Sequence, residues 1–186
     1  TAACMVGGFA RRFLQAQDLA VRSAMVVKLV QRMCTSWFGR HSGTWYTRAG
    51  SENEDNIAAW LLGDRYIRSF WDVGLAENKA HALVAASADG IIQLRNPQRW
   101  APQAGLTEDA LLPVEFKTIM GAEALRKYHD AQAAIQRRQP GVNWVCCTWG
   151  DNDFQHLVPQ RSHRIQLLHQ LATFEAPACV YVPALL

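Results

Sequence analysis

Leu111-Leu112-Pro113-Val114-Glu115-Phe116-Lys117-Thr118-Ile119 is an apolar run interrupted by a Glu and a Lys two positions apart. Side chains alternate across a strand, so Glu115 and Lys117 project from one face while Val114 and Phe116 point to the other. Pro113 stands near the start, where a missing N–H is tolerated. Two readings of the charged pair are open. It can be the solvated face of an edge strand. Alternatively, because the flanks Leu111-Leu112 and Ile119-Met120 are apolar, the two residues are paired or line a cleft.

Upstream, residues 66–73 and 82–86 are rich in β-formers and are separated by the polar Glu77-Asn78-Lys79. Ala88-Asp89-Gly90 is a turn signal before another short strand at 91–94, so the region reads as an antiparallel meander. Residues 95–109, with Pro97 and Pro102, read as loop. Downstream, 123–138 is helical and stops at Pro140-Gly141. The almost wholly apolar 143–148 is expected as a strand in the middle of a covered sheet. Residues 154–158 read as a short partner strand, 161–174 as a final helix and 179–182 as a last extended piece.

Towards the N-terminus, Val21, Met25, Val26, Leu29, Val30, Met33 and Trp37 recur at helical spacing within residues 17–38. A turn-rich stretch covers 39–50, and Ser51 opens a second helix to about residue 62, ended at Gly63. The expected fold class is α/β (α+β mixed), a central mixed β-sheet flanked by helices. One domain is expected, with a helical N-terminal part over 1–49 and the core over 50–186.

Composition sets the outer limits. The chain has 186 residues, enough for one sizeable α/β domain, and 49% hydrophobic with 19% charged residues excludes wholesale disorder. A net charge of +3 is compatible with a nucleic-acid partner without requiring one. Lys28, Lys79, Lys117 and Lys127 are the lysines, and the other basic residues are arginines, whose planar fork suits phosphate. A GC-rich genome gives the same bias. The five cysteines have no CxxC spacing, and adjacent Cys146 and Cys147 read as small apolar side chains in a buried strand. An odd count without a framework points to a reducing, intracellular compartment, cytoplasm or nucleus, and not to secretion. No apolar run approaches the roughly 18 residues that span a bilayer, so no membrane partner is expected. The sequence does not open on Met and carries no secretory signal, which is compatible with a segment of a longer protein.

Hydrolysis of a phosphodiester by a hard divalent cation needs several carboxylate oxygens converging on one point, plus a cation near the attacking water. Glu115 and Lys117 supply two of these parts, and the Phe116 carbonyl between them can complete a metal shell. Asp89, at the end of the meander, is the obvious second carboxylate. Its alternative is an ordinary Asp-Gly hairpin turn.

Ala86-Ser87-Ala88-Asp89-Gly90-Ile91 resembles the "SPDG" segment, and Pro113-Val114-Glu115-Phe116-Lys117-Thr118 the "vExKt" segment, of PD-(D/E)XK nucleases in the branch of YqaJ-like viral recombinases and lambda exonuclease. Asp72-Val73-Gly74-Leu75 resembles that branch's "vGL" strand, Gly50-Ser51-Glu52-Asn53-Glu54 its "GtenE" helix start, and Tyr128-His129-Asp130-Ala131-Gln132 its Tyr/Gln helix. The five matches run in family order from about residue 50 to 149. Ala88 departs from the usual Pro, the interval between Asp89 and Glu115 is longer than a minimal hairpin, and the N-terminal third matches poorly.

The resemblance implies a restriction-endonuclease-like core with Asp89, Glu115 and the Phe116 carbonyl on Mg²⁺ or Mn²⁺. It gives Lys117 the role of polarising the water or steadying the developing charge, brings Glu54 to the metal directly or through water, and has Gln132 orient the nucleophile. It implies DNA as partner, with a homo-oligomer or a recombination partner protein as further candidates. The implied activity is hydrolysis of linear duplex DNA, typically 5′ to 3′, in recombination or repair. An endonuclease of the same superfamily and a non-catalytic DNA-binding domain are the alternatives.

Several of these assignments have a plainer reading. Ser51-x-x-Glu54 is also a capping box. Gln136 and Gln139 compete with Gln132. Arg40, Thr44 and Arg48 are either phosphate contacts or incidental residues of an exposed loop. Trp37, Trp60 and Trp144 read as core, whereas Trp100 and Trp149 sit beside loops near the expected cleft, where stacking on bases competes with simple packing. His163 with Arg161 and Arg164 reads as a solvated basic patch.

Overall fold

Alternating apolar residues assemble a five-stranded mixed sheet with helices on its faces, as the sequence pattern predicts. The computed structural model describes residues 18–21, 23, 24, 27, 45–80, 84–121, 123–151, 154–158 and 160–185. The chain divides into two compact units, Thr1–Trp45 and Tyr46–Leu186. In the first, residues 19–21, 23, 24 and 27 are helical, within the span where helical spacing was read. Arg40, Thr44 and Trp37 lie outside the described residues.

Helix α1 covers Trp45–Leu62, β1 Ile67–Trp71, β2 Leu75–Glu77, β3 Ala85–Ser87 and β4 Gly90–Leu94. A one-turn helix α2 (Pro97–Trp100) and a 3₁₀ turn (Pro102–Ala104) lead to β5, Leu112–Ile119. Then come α3 (Ala124–Arg138), β6 (Val145–Thr148), α4 (Phe154–Leu157), α5 (Arg161–Phe174) and β7 (Ala178–Leu185). The sheet order is β1-β4-β5-β7-β6. Only β5 and β7 run parallel; β1/β4, β4/β5 and β6/β7 are antiparallel.

The period-2 pattern puts one apolar cluster on each face. Val114, Phe116, Cys146, Val180 and Val182 pack with Ile57 and Leu61 of α1 on one side. Val145, Cys147, Cys179 and Tyr181 pack with Ala134 and Ile135 of α3 and with Leu167 and Leu171 of α5 on the other. Each cluster removes large aliphatic side chains from water, each contributing roughly 1.5–3 kcal/mol.

The structure departs from the sequence expectations at five places. Helix α1 begins at Trp45 and runs through Gly50 and Ser51, so Ser51 and Glu54 are mid-helix residues and not a capping box. A helix tolerates an interior Gly at a cost of about 1 kcal/mol, which Ile57 and Leu61 offset by burial. The meander is split: β2 pairs with β3 in a separate two-stranded sheet while β4 pairs with β1. Residues 88 and 89 therefore link two sheets instead of turning a hairpin. Residues 154–158 form a helical turn, closed by Val158 N donating to Phe154 O at 3.0 Å, not a strand. β6 lies at the sheet edge, yet all its residues are buried because both clusters cover it. The interior position belongs to β7, eight residues long, which carries Pro183 inside the sheet opposite Lys117.

Gly90 is the most closely hemmed glycine among the described residues. A Cβ added there would lie 2.5 Å from Phe70 Cε2, 2.6 Å from Cζ and 3.0 Å from Trp71 O. Phe70 is itself stacked on Phe116, with ring centroids 6.1 Å apart. Gly90→Ala is expected to push the Phe70 ring off Phe116 and lower stability by about 1–3 kcal/mol. Urea unfolding of the two proteins measures this; an unchanged midpoint would show that Phe70 gives way freely.

Candidate metal centre

β4 begins at Gly90, opposite Val114, and beyond that pair the edge of β5 has no strand beside it on that side. Asp89 fills the place of the next rung. Its N–H donates to Val114 O at 3.0 Å, and its Oδ2 accepts the N–H of Phe116 at 2.5 Å. A residue's N–H and C=O leave a strand on the same edge, so the Phe116 carbonyl is directed to the edge that holds Asp89.

Glu115 is the buried centre of the arrangement, with 0% exposure in the third of five strands. The edge-strand reading of this residue is thereby excluded. Its Oε1 accepts a hydrogen bond from the Lys117 ammonium, as the two-residue spacing predicts for neighbours on one face, and its Oε2 accepts from Gln170 Nε2 on α5. Gln170, also fully buried, donates to Ser87 O at 3.2 Å as well. Burial pushes the Glu115 carboxyl up from 4.5 to about 7. Lys117 opposes that rise, and the nearby Asp89 charge adds to it. Asp89 is likewise raised, by burial first, against the pull of Lys117 and of the Phe116 N–H.

Glu54 on α1 is exposed, and its carboxyl is raised by burial of part of its surface and then by Asp89, with Lys117 acting the other way. It thus stands within electrostatic reach of the same two groups. Its neighbour Asn53 ties α1 to β5 by donating from Nδ2 to Thr118 Oγ1 at 3.0 Å. The structure therefore brings Asp89, Glu115, Lys117 and Glu54 together. Gln132 is half-buried on α3, and its Nε2 is buried with no hydrogen-bond partner among the described residues, the carboxylates included. Arg48 is an exposed residue of α1, six positions before Glu54.

Gln170 is the residue that sequence reasoning missed. The signal was a polar side chain on the buried stripe of a helix, next to Leu167 and Leu171. His163 on the same helix is not a solvated patch residue: its Nδ1 lies 3.0 Å from the Tyr181 hydroxyl, and burial, then Lys117, lowers it to about 4. Of the tryptophans, Trp144 is core as expected. Trp100 is also core, 3% exposed with Nε1 donating to Arg95 O at 3.2 Å, and offers no stacking face. Trp60, expected inside, is 44% exposed.

Two raised carboxyls beside a single ammonium form a set of hard oxygen ligands short of positive charge. Among the described residues no group of three or more His, Cys, Asp or Glu forms a ready cation cage. Two carboxylates with a carbonyl suit Mg²⁺ or Mn²⁺, ions that keep several waters, better than Ca²⁺ or Zn²⁺. No family model matches the sequence, and no curated protein and no solved structure matches the chain.

The raised Glu115 carboxyl predicts how metal-free stability depends on pH. The fold favours the protonated form, so this contribution is complete below about pH 4.5 and is lost as pH rises through about 7. In urea unfolding with EDTA, wild type is expected to lose stability relative to Glu115→Gln, by on the order of 2 kcal/mol between pH 5.5 and 8. The difference isolates Glu115, because the depressed His163 acts with the opposite sign in both proteins and the raised Asp89 and Glu54 act with the same sign in both. An identical slope in both proteins contradicts the assignment.

Proposed function

We propose that this chain is a metal-dependent deoxyribonuclease that hydrolyses phosphodiester bonds, an exonuclease on linear DNA acting in recombination or repair. The observation that carries the reading is the bond from the Phe116 N–H to Asp89, because it sets one carboxylate at the edge of β5 next to the Glu115–Lys117 pair on the face of that strand. This is the constellation that the PD-(D/E)XK resemblance implies.

Asp89, Glu115 and the Phe116 carbonyl would hold the ion. When bound, Mg²⁺ or Mn²⁺ supplies a water of lowered pKa and polarises a phosphoryl oxygen. Glu115 must give up its proton to take part, so ion binding tightens as pH rises through about 7. Lys117, partly exposed, presents its ammonium to the developing charge on phosphate. Glu54 reaches the ion from α1 directly or through water. Gln170 fixes the orientation of Glu115, and Gln132 takes the role of orienting the attacking water that the resemblance implies.

A nucleic-acid partner is supported by arginines at the other end of β4. Arg65 and Arg99 lie over the Tyr66 ring, 4.7 and 5.2 Å from its centroid, with exposed Arg95 beside them donating its N–H to Tyr66 O at 2.7 Å. Such guanidinium groups suit phosphate oxygens. Arg40, Thr44 and Arg48 stay as further phosphate contacts on the strength of their position before Glu54. Among the described residues no helix is long and apolar enough to cross a membrane. Free, buried Cys146, Cys147 and Cys179 are in keeping with a reducing cytoplasm or nucleus. A homo-oligomer or a recombination partner protein completes the set of proposed partners.

One observation favours a second reading, a DNA-binding domain that keeps the fold without activity: both oxygens of Glu115 are already occupied, by Lys117 and Gln170. End-labelled linear duplex and closed circular DNA, each incubated with Mg²⁺ or EDTA, separate the possibilities. Cleavage of linear DNA alone, abolished by EDTA and reduced on the order of a hundredfold or more in Lys117→Ala, is the expected result. Cleavage of circles points to an endonuclease. DNA binding without Mg²⁺-dependent cleavage supports the second reading, and equal cleavage by the variant contradicts the assignment of Lys117.

A further inference from the structure

A cleft of about 380 Å³ opens between α1, α3 and the end of β7. Asn53, Asn56 and Trp60 line it from α1, Tyr128 from α3, and Asn143 and Pro183 from the segments beyond. None of its lining residues is charged. It adjoins the metal centre through α1, where Asn53 faces the cleft and Glu54 the carboxylates, and through the sheet, where Pro183 is the register partner of Lys117.

The lining has a definite chemistry. Trp60 is 44% exposed and stacks on no other ring among the described residues. Tyr128 offers a second aromatic surface. Three asparagine amides line the cleft, each with one hydrogen bond made: Asn53 Nδ2 donates to Thr118 Oγ1 at 3.0 Å, Asn56 Nδ2 donates to Glu52 O at 3.4 Å, and Asn143 Oδ1 accepts from Gln136 Nε2 at 3.4 Å. An amide carries two donors and two acceptor lone pairs, so each keeps further hydrogen-bonding capacity. A phosphate would find no cation in the cleft. A flat, neutral heteroaromatic ring with donors and acceptors on its edge meets both the aromatic and the amide groups, and the volume is in the range of small-ligand pockets.

We propose that this cleft holds an unstacked nucleobase of single-stranded DNA. That the base belongs to a nucleotide next to the bond being cut rests on the nuclease reading above; the binding site itself does not. The preference follows from the same geometry, since a base reaches the cleft only when it has left its stack. Single strands and frayed ends provide such a base at little cost, whereas an intact duplex must spend a few kcal/mol on unpairing and unstacking.

Fluorescence anisotropy of a labelled short oligothymidylate and of a labelled blunt duplex, titrated with the full chain in EDTA, tests the site without cleavage. Trp60→Ala is expected to weaken single-strand binding about tenfold or more, the loss of one stacked base, while changing duplex affinity less than about twofold. Trp60→Phe is expected to restore most of the loss, and circular dichroism reports whether each variant is folded. Equal single-strand binding by wild type and Trp60→Ala overturns the proposal. So does an equal loss for duplex and single strand, or wild type that binds no single strand. The same preparations are assayed for Mg²⁺-dependent cleavage. Trp60-dependent binding without cleavage sinks the nuclease reading and leaves the base site standing; cleavage with Trp60-independent binding does the reverse.

Discussion

The hydrogen bond from the Phe116 N–H to the Asp89 carboxylate is the constraint on which the rest of the centre depends. A backbone donor at a strand edge must be satisfied, and here a side chain does so where the neighbouring strand has just ended. That exchange fixes Asp89 at the edge of β5 and sends the chain before it into the second small sheet. A charge-assisted bond of this kind contributes about 1.5–3 kcal/mol. The close approach it requires is possible because residue 90 has no Cβ to collide with Phe70.

Around this bond the molecule concentrates acidity where burial opposes it. Glu115 sits at the sheet centre, held by an ammonium two residues on and by an amide from α5, while Asp89 and Glu54 face the same region. Removing carboxylates from water is expensive unless they are paired or bind a cation, and one ammonium does not balance the two acids Asp89 and Glu115. Local cost of this sort is tolerated where a binding function compensates for it. The surrounding layers are conventional by comparison. Two apolar clusters hold the sheet, and the buried cysteines are pushed far towards the thiol form by burial, serving as packing atoms.

The parts of the centre that were legible in the sequence are those set by short-range geometry. The Glu-x-Lys spacing within an apolar run places both side chains on one face whatever else the chain does, and the helix over 161–174 has the bounds its composition suggests. What was hidden depends on contacts distant in sequence. β7 is a full-length interior strand, but Pro183 looks like its end until the parallel partner β5 is in place. Ser51 looks like a helix cap because the glycines and serines before it suggest turns, whereas the backbone is already helical from Trp45. Gln170 looks like one more polar helix residue until Glu115 is found opposite it. Trp60 follows an apolar pattern that implies the core, yet the cleft leaves its ring half in solvent.

Whether Asp89 and Glu115 share one ion decides whether this centre is a metal site. Diffraction from crystals grown with Mn²⁺, collected at the manganese absorption edge, answers this most directly. The prediction is a single anomalous peak bridging the two carboxylates and the Phe116 carbonyl, with Gln170 still on Glu115 and Lys117 alongside. An ion bound elsewhere, or a Glu115 that keeps both its present partners while the added Mn²⁺ occupies other oxygens, would contradict it.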